Sequence, residues 1–160
     1  MTELEHLTQT FSKLGVKNPE IWARSQVEDG IPQLARLVFL RQAWKLVLGE
    51  ANTEWIDRLR SGAARQPREP GAAIGPALDR LVALGASPDD LTTVVRVMQW
   101  ELLFAFCQLL EDPGDLEPEV KNICWTLFQV SDDGALIAPI PGLHESVLET
   151  DPTGREMRPR

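Results

Sequence analysis

Histidine is the scarcest of the side chains able to do chemistry, with only His6 and His144 in 160 residues. Glu3-Leu4-Glu5-His6 sets Glu3 and His6 one helical turn apart, the Glu-x-x-His element from which di-iron bundles are built. Such bundles need two of these elements and two further glutamates, and no second copy occurs. Three residues before His144 stands Pro141 rather than an acid. Cys107 and Cys124 lack the close paired spacing of zinc ligands. The reading is therefore no metal site and no cofactor.

Nucleophilic chemistry has equally little support. There is no Gly-x-Ser-x-Gly elbow, and neither cysteine has a histidine close in sequence. Both thiols sit in apolar helical patterns, where cysteine behaves as a small buried hydrophobe; whether folding brings His144 to either is left open. Gly71-Ala72-Ala73-Ile74-Gly75-Pro76 precedes a helix whose free N–H groups could hold an anion. It matches neither Gly-x-Gly-x-x-Gly nor the P-loop, and no buried strand leads into it, so it reads as a flexible loop. The balance leans away from an enzyme.

Two charged residues stand out because they interrupt strongly apolar helices. Glu101 lies in a segment whose only other polar residues between Val97 and Leu110 are Gln99 and Gln108, and Arg41 is similarly placed between Leu34 and Leu48. A buried carboxylate must find a partner or take up a proton. If the two helices pack together, a Glu101–Arg41 ion pair satisfies both; with Trp44, Trp100, Gln99 and Gln108 it would form either a structural network or the polar floor of a ligand pocket.

The chain has five tryptophans and no tyrosine. Trp22, Trp44, Trp100 and Trp125 read as helix-borne core indoles. Trp55 is expected to differ: Glu54, Asp57 and Arg58 surround it and Arg60, Arg65 and Arg68 follow, so an exposed Trp55 with these four arginines is the expected partner-contact patch.

The net charge of −8 argues against a domain that grips phosphate backbones, so nucleic acid is not an expected partner. The longest apolar run, Leu102 to Cys107, is far too short to span a bilayer, and Met1 to His6 lacks the basic start and apolar stretch of a secretory signal. The expectation is a cytoplasmic protein with no membrane partner.

The elements that must position these residues are predominantly helical. Leu4, Leu7, Phe11 and Leu14 repeat at helical spacing up to Gly15. Asn18-Pro19-Glu20 starts a second helix ending near Gly30. Pro32 to Gly49 and Pro88 to about Leu110 are apolar nearly all round, which predicts two central helices. Glu54 to Leu59 is a short helix, Ser61 to Gly71 a loop, and Ile74 to Leu84 another helix. Val120, Ile123, Cys124, Leu127 and Phe128 predict a helix over 118–128. Asp133-Gly134 is a turn signal, and the prolines at 139 and 141 leave a short extended or hairpin element near 131–140. Leu143 to Glu149 offers one or two helical turns. Leu14-Gly15 and Leu84-Gly85, each followed by a proline restart, read as generic helix punctuation, with two related halves as the alternative.

The fold expected is all-α: a single-domain irregular helical bundle of about six to eight helices over residues 1–150, with a polar C-terminal tail over 151–160. In size, acidity and tryptophan content the chain resembles bacterial toxin-neutralising immunity proteins and other small helical adaptors. That resemblance implies a non-catalytic protein-interaction or regulatory domain, here one binding a basic protein partner. The alternative is a small-molecule-binding or enzymatic helical domain with its pocket between the two central helices. A homo-oligomer, with a second copy covering the apolar helices, is a third arrangement compatible with the pattern.

Overall fold

Local chemistry sets several helix ends. Thr2 and Glu5 form a reciprocal capping box, the Thr2 hydroxyl accepting from the Glu5 N–H at 3.2 Å and the Glu5 carboxylate from the Thr2 N–H at 2.8 Å, which starts α1 (Glu3–Lys13). Gly15 closes it at φ +77°, a conformation that costs glycine least. The computed structural model describes residues 1–159. It continues with α2 (Pro19–Glu28), α3 (Gln33–Trp44), α4 (Glu54–Arg65), α5 (Ile74–Ala83), α6 (Pro88–Leu109), β1 (Phe128–Val130), β2 (Leu136–Pro139) and α7 (Leu143–Ser146). The fold is therefore a mostly helical bundle with one small hairpin, as the periodicity predicts. Among the described residues no helix is long and apolar enough to cross a membrane.

The chain divides into two compact units, Met1–Lys45 with the chain from Leu102 onward, and Leu46–Glu101. In the first unit, Leu7 and Phe11 of α1, Trp22 and Ala23 of α2 and Leu37 of α3 form one core cluster. The Phe11 and Trp22 rings lie 5.8 Å apart, tilted by 56°. α3 packs on α7 and grips it from two turns. The Trp44 indole N–H donates to the Val147 carbonyl at 3.0 Å and the Thr150 hydroxyl at 3.1 Å. The buried Arg36 guanidinium donates to the Gly142 carbonyl and to Glu145 at 3.1 Å. Gly142 sits at φ +70°, and a Cβ there would lie 2.6 Å from the Arg36 Nη2, so this close approach needs a glycine. Residues 151–157, expected to begin a polar tail, are tied into this unit: buried Asp151 accepts from the Thr153 hydroxyl at 2.6 Å and the Met157 N–H at 2.9 Å.

In the second unit α4 packs on α5, with Trp55, Ile56 and Leu78 at the centre and Leu48, Leu91 and Val95 around them. The polar residues Thr92, Arg96 and Gln99 recur at i, i+4, i+7 on α6 and serve the backbone of the preceding link. Thr92 donates to the Asn52 carbonyl at 3.2 Å, Arg96 to the Leu48 carbonyl, and the Gln99 side-chain oxygen accepts from the Leu48 N–H at 2.8 Å. Buried backbone groups must be paired; here α6 supplies the partners that the link between α3 and α4 lacks.

Four expectations about elements need correction. The helix predicted over 118–128 is instead a pair of tight turns, with Val120 N–H to Glu117 and Ile123 N–H to Val120 at 3.0 and 2.9 Å. Extended chain follows, so that Phe128 pairs with Pro139 and Gln129 with Ala138. β-pairing with a distant segment overrides a local helical period there. α3 stops at Trp44, whereas α4 runs on through Ser61 to Arg65. Finally, α6 is not wrapped on all sides. In the second unit it buries Thr92 and Arg96 while Val94 and Met98 are exposed; in the first it buries Cys107 while Leu102, Phe106 and Leu109 are exposed.

Candidate functional site

The proposed pocket floor divides between the two units. Arg41, Trp44 and Gln108 belong to the first; Gln99, Trp100 and Glu101 to the second. Glu101 is solvent-exposed, so the burial that a pairing with Arg41 would relieve is absent. The Arg41 guanidinium donates instead to the Leu14 carbonyl. Trp44 is spent on α7 and Gln99 on Leu48. The buried Trp100 indole N–H has no acceptor among the described residues, and Gln108 is exposed.

Trp55 overturns the expected exposed anchor. It is only 4% exposed and donates its indole N–H to the Thr92 hydroxyl at 2.9 Å. The flanking charges misled because Glu54, Asp57 and Arg58 stay exposed while Trp55 and Ile56 between them turn into the core shared with α5. Arg60 bonds Asp79 at 2.6 Å and Asp57 at 3.1 Å. Arg58, Arg65 and Arg68 are exposed.

Two other arrangements emerge in the first unit. Glu111 and His144 come together beside a hollow of about 680 Å³ that Gln108 also lines. His144 Nδ1 lies 3.5 Å from Glu111 Oε1 without a hydrogen bond, and the same oxygen accepts from the Leu143 N–H at 2.7 Å. The Phe104 ring meets the imidazole edge-on at 6.0 Å. Nearby Cys107 is buried, and burial, with the Glu111 charge second, pushes its thiol up to about 11. A thiol so protonated at neutral pH is a poor nucleophile. Among the described residues, no three His, Cys, Asp or Glu side chains gather as a metal site would require.

The second is a set of exposed apolar side chains at the C-terminal end of α6 and on the hairpin. Leu102 is 67% and Phe106 55% exposed, and the Trp125 indole N–H donates to the Leu109 carbonyl, tying a partly exposed indole to the same end of α6. The hairpin shows water Phe128 and Val130 from one strand and Leu136 and Ile137 from the other. A two-stranded hairpin has little stability alone, and an uncovered one offers two unpaired edges to another chain. Along the same stretch of sequence the charge is one-sided. Residues 102–139 carry seven carboxylates, among them Glu111, Asp112, Asp115, Asp132 and Asp133, against the single ammonium of Lys121, and so hold −6 of the net −8. This acidic run was visible in sequence; the exposure beside it was not, because an apolar period does not say which face a neighbour covers.

No family model, curated protein or solved structure matches this chain.

Proposed function

We propose that this is a non-catalytic, cytoplasmic protein-interaction domain that binds a basic protein partner. One observation carries the reading: large apolar side chains of α6 and the hairpin stand in water within the stretch that holds most of the chain's net negative charge. Large apolar side chains left in water mark contact sites where they gather into a patch, and an acidic setting favours a partner whose own apolar patch is ringed by lysine and arginine. Phe106, Leu102 and Trp125 are the anchors in this reading, in the place first given to Trp55.

The test combines capture from the native host with a charge and anchor series. Wild-type protein should retain a partner of high isoelectric point that is released as ionic strength rises. Leu102→Glu and Phe106→Glu should abolish retention while circular dichroism stays unchanged. Light scattering on the same samples identifies the competing occupant: a dimer that the two substitutions dissolve would assign the surface to a second copy of the chain and overturn the basic-partner reading.

The alternative, ligand binding, is favoured by a separate groove beside Arg41.

A further inference from the structure

A groove of about 580 Å³ opens in the first unit between the turn at residues 14–18, one face of α3 and the C-terminal segment 149–156. That volume is in the range of small-molecule sites. Leu37, Arg41 and Lys45 follow one another at four-residue spacing and present an apolar foot and two cations along one wall. Leu14, Val16 and Trp22 continue the apolar floor, and Lys17 adds a third cation at the turn.

What distinguishes the groove is how its charges are spent. The three carboxylates have internal partners: Glu149 accepts from the Trp22 indole N–H at 3.1 Å, Asp151 from Thr153 and Met157, and Glu156 pairs with Arg158 at 2.8 Å. The three cations donate only to neutral oxygens. Lys17 reaches the Gly154 carbonyl at 3.0 Å, Arg41 the Leu14 carbonyl, and Lys45 the Gln42 amide oxygen at 2.7 Å. Among the described residues none of the three is paired with a carboxylate, in a chain where acids outnumber bases 24 to 16. Three exposed cations that meet no carboxylate among the described residues, set along one wall and the adjoining turn, can converge on an anion, and the apolar floor selects an anion that carries a hydrocarbon body.

We propose that this groove binds a small amphiphilic organic anion, its carboxylate or phosphate head held by Lys17, Arg41 and Lys45 and its apolar body laid along Leu14, Val16 and Leu37. The site is independent of the α6 and hairpin surface, so either proposal can fail without the other.

The probes are octanoate, octyl phosphate and octanol, titrated into the full chain while backbone amide shifts are followed by NMR. Octanoate or octyl phosphate should shift residues 14–18, 37–45 and 149–156 saturably, and whichever binds tighter identifies the head group. Octanol, with the same chain and no charge, should bind more weakly. Lys45→Gln removes only a bond to Gln42 on the same helix and so leaves the fold intact; it should weaken anion binding roughly two- to fivefold, as loss of one exposed charge contact does. Arg41→Gln should weaken it at least as much, with the spectrum reporting whether the Leu14 turn survives. Equal binding of octanol, shifts scattered outside the three segments, or an unchanged affinity in Lys45→Gln would each overturn the proposal.

Discussion

Gly62 and Gly75, one on each of the two packed helices of the second unit, should respond in opposite directions to the same substitution. A Cβ at Gly75 would lie 2.5 Å from the Cβ of Ala63, while one at Gly62 would meet nothing within 4 Å. Carbon atoms in contact sit at about 3.5–4.0 Å, so Gly75→Ala forces α4 and α5 apart by more than an ångström. Overpacking of that kind costs about 1–3 kcal/mol, offset by at most about 1 kcal/mol of improved helix propensity; a net loss near 1–2 kcal/mol is expected. Gly62→Ala has only the propensity gain and should stabilise by about 0.5–1 kcal/mol. Ala63→Gly alone should cost about 1 kcal/mol, yet in the Gly75→Ala background it removes the clashing methyl, so the double variant should be less destabilised than the sum of the two. Urea denaturation followed by tryptophan fluorescence measures all four, with the m-value as a check that the unfolding transition is unchanged. A Gly75→Ala protein as stable as Gly62→Ala, or strict additivity in the double variant, would refute the close α4–α5 crossing.

The Trp55–Thr92 bond gives a second expectation. Thr92→Val orphans both the Trp55 indole N–H and the Asn52 carbonyl, for about 2–4 kcal/mol, whereas Thr92→Ser keeps the hydroxyl and should cost about 1 kcal/mol; equal losses by urea denaturation would contradict the buried bond. Exposed Cys124 should react with a thiol reagent in the native state while buried Cys107 reacts only on unfolding, which mass spectrometry of labelled peptides resolves. Because the folded Cys107 thiol is raised from 9.0 to about 11, its contribution to stability is complete below pH 9 and is lost as pH rises through 11. A Cys107→Ala variant should lack that loss when stability is followed across the window. Arg36→Ala removes a buried guanidinium and should cost about 3–5 kcal/mol. Glu145→Gln should cost less than about 1 kcal/mol, since that carboxylate is two-thirds exposed; the reverse order in thermal or urea unfolding would show that the pair, and not the Gly142 contact, holds α7.

Local rules were legible wherever one turn of chain suffices to decide. Asn18-Pro19 and Ser87-Pro88 mark starts at α2 and α6, and Leu14-Gly15 and Leu84-Gly85 both close with left-handed glycines and the same 6→1 bonds, Val16 to Phe11 and Ala86 to Leu81. The Asp133-Gly134 turn and its hairpin could be read for the same reason. The candidate site was less legible. Leu37, Arg41 and Lys45 share a helix face by spacing alone, but the wall opposite them comes from residues more than a hundred positions away, and no periodicity links them.

Sequence by itself determined the helical class, the punctuation between helices, and the acidic charge concentrated over residues 102–139, because these depend on residue type and on neighbours within a few positions. Tertiary structure decided that Trp55 is core and Phe106 is surface, that Glu101 meets water, and that Lys17, Arg41 and Lys45 share a groove. Burial is a property of what packs against a side chain from elsewhere in the chain, and an apolar helix carries the same pattern whether a neighbour covers one side of it or all of them.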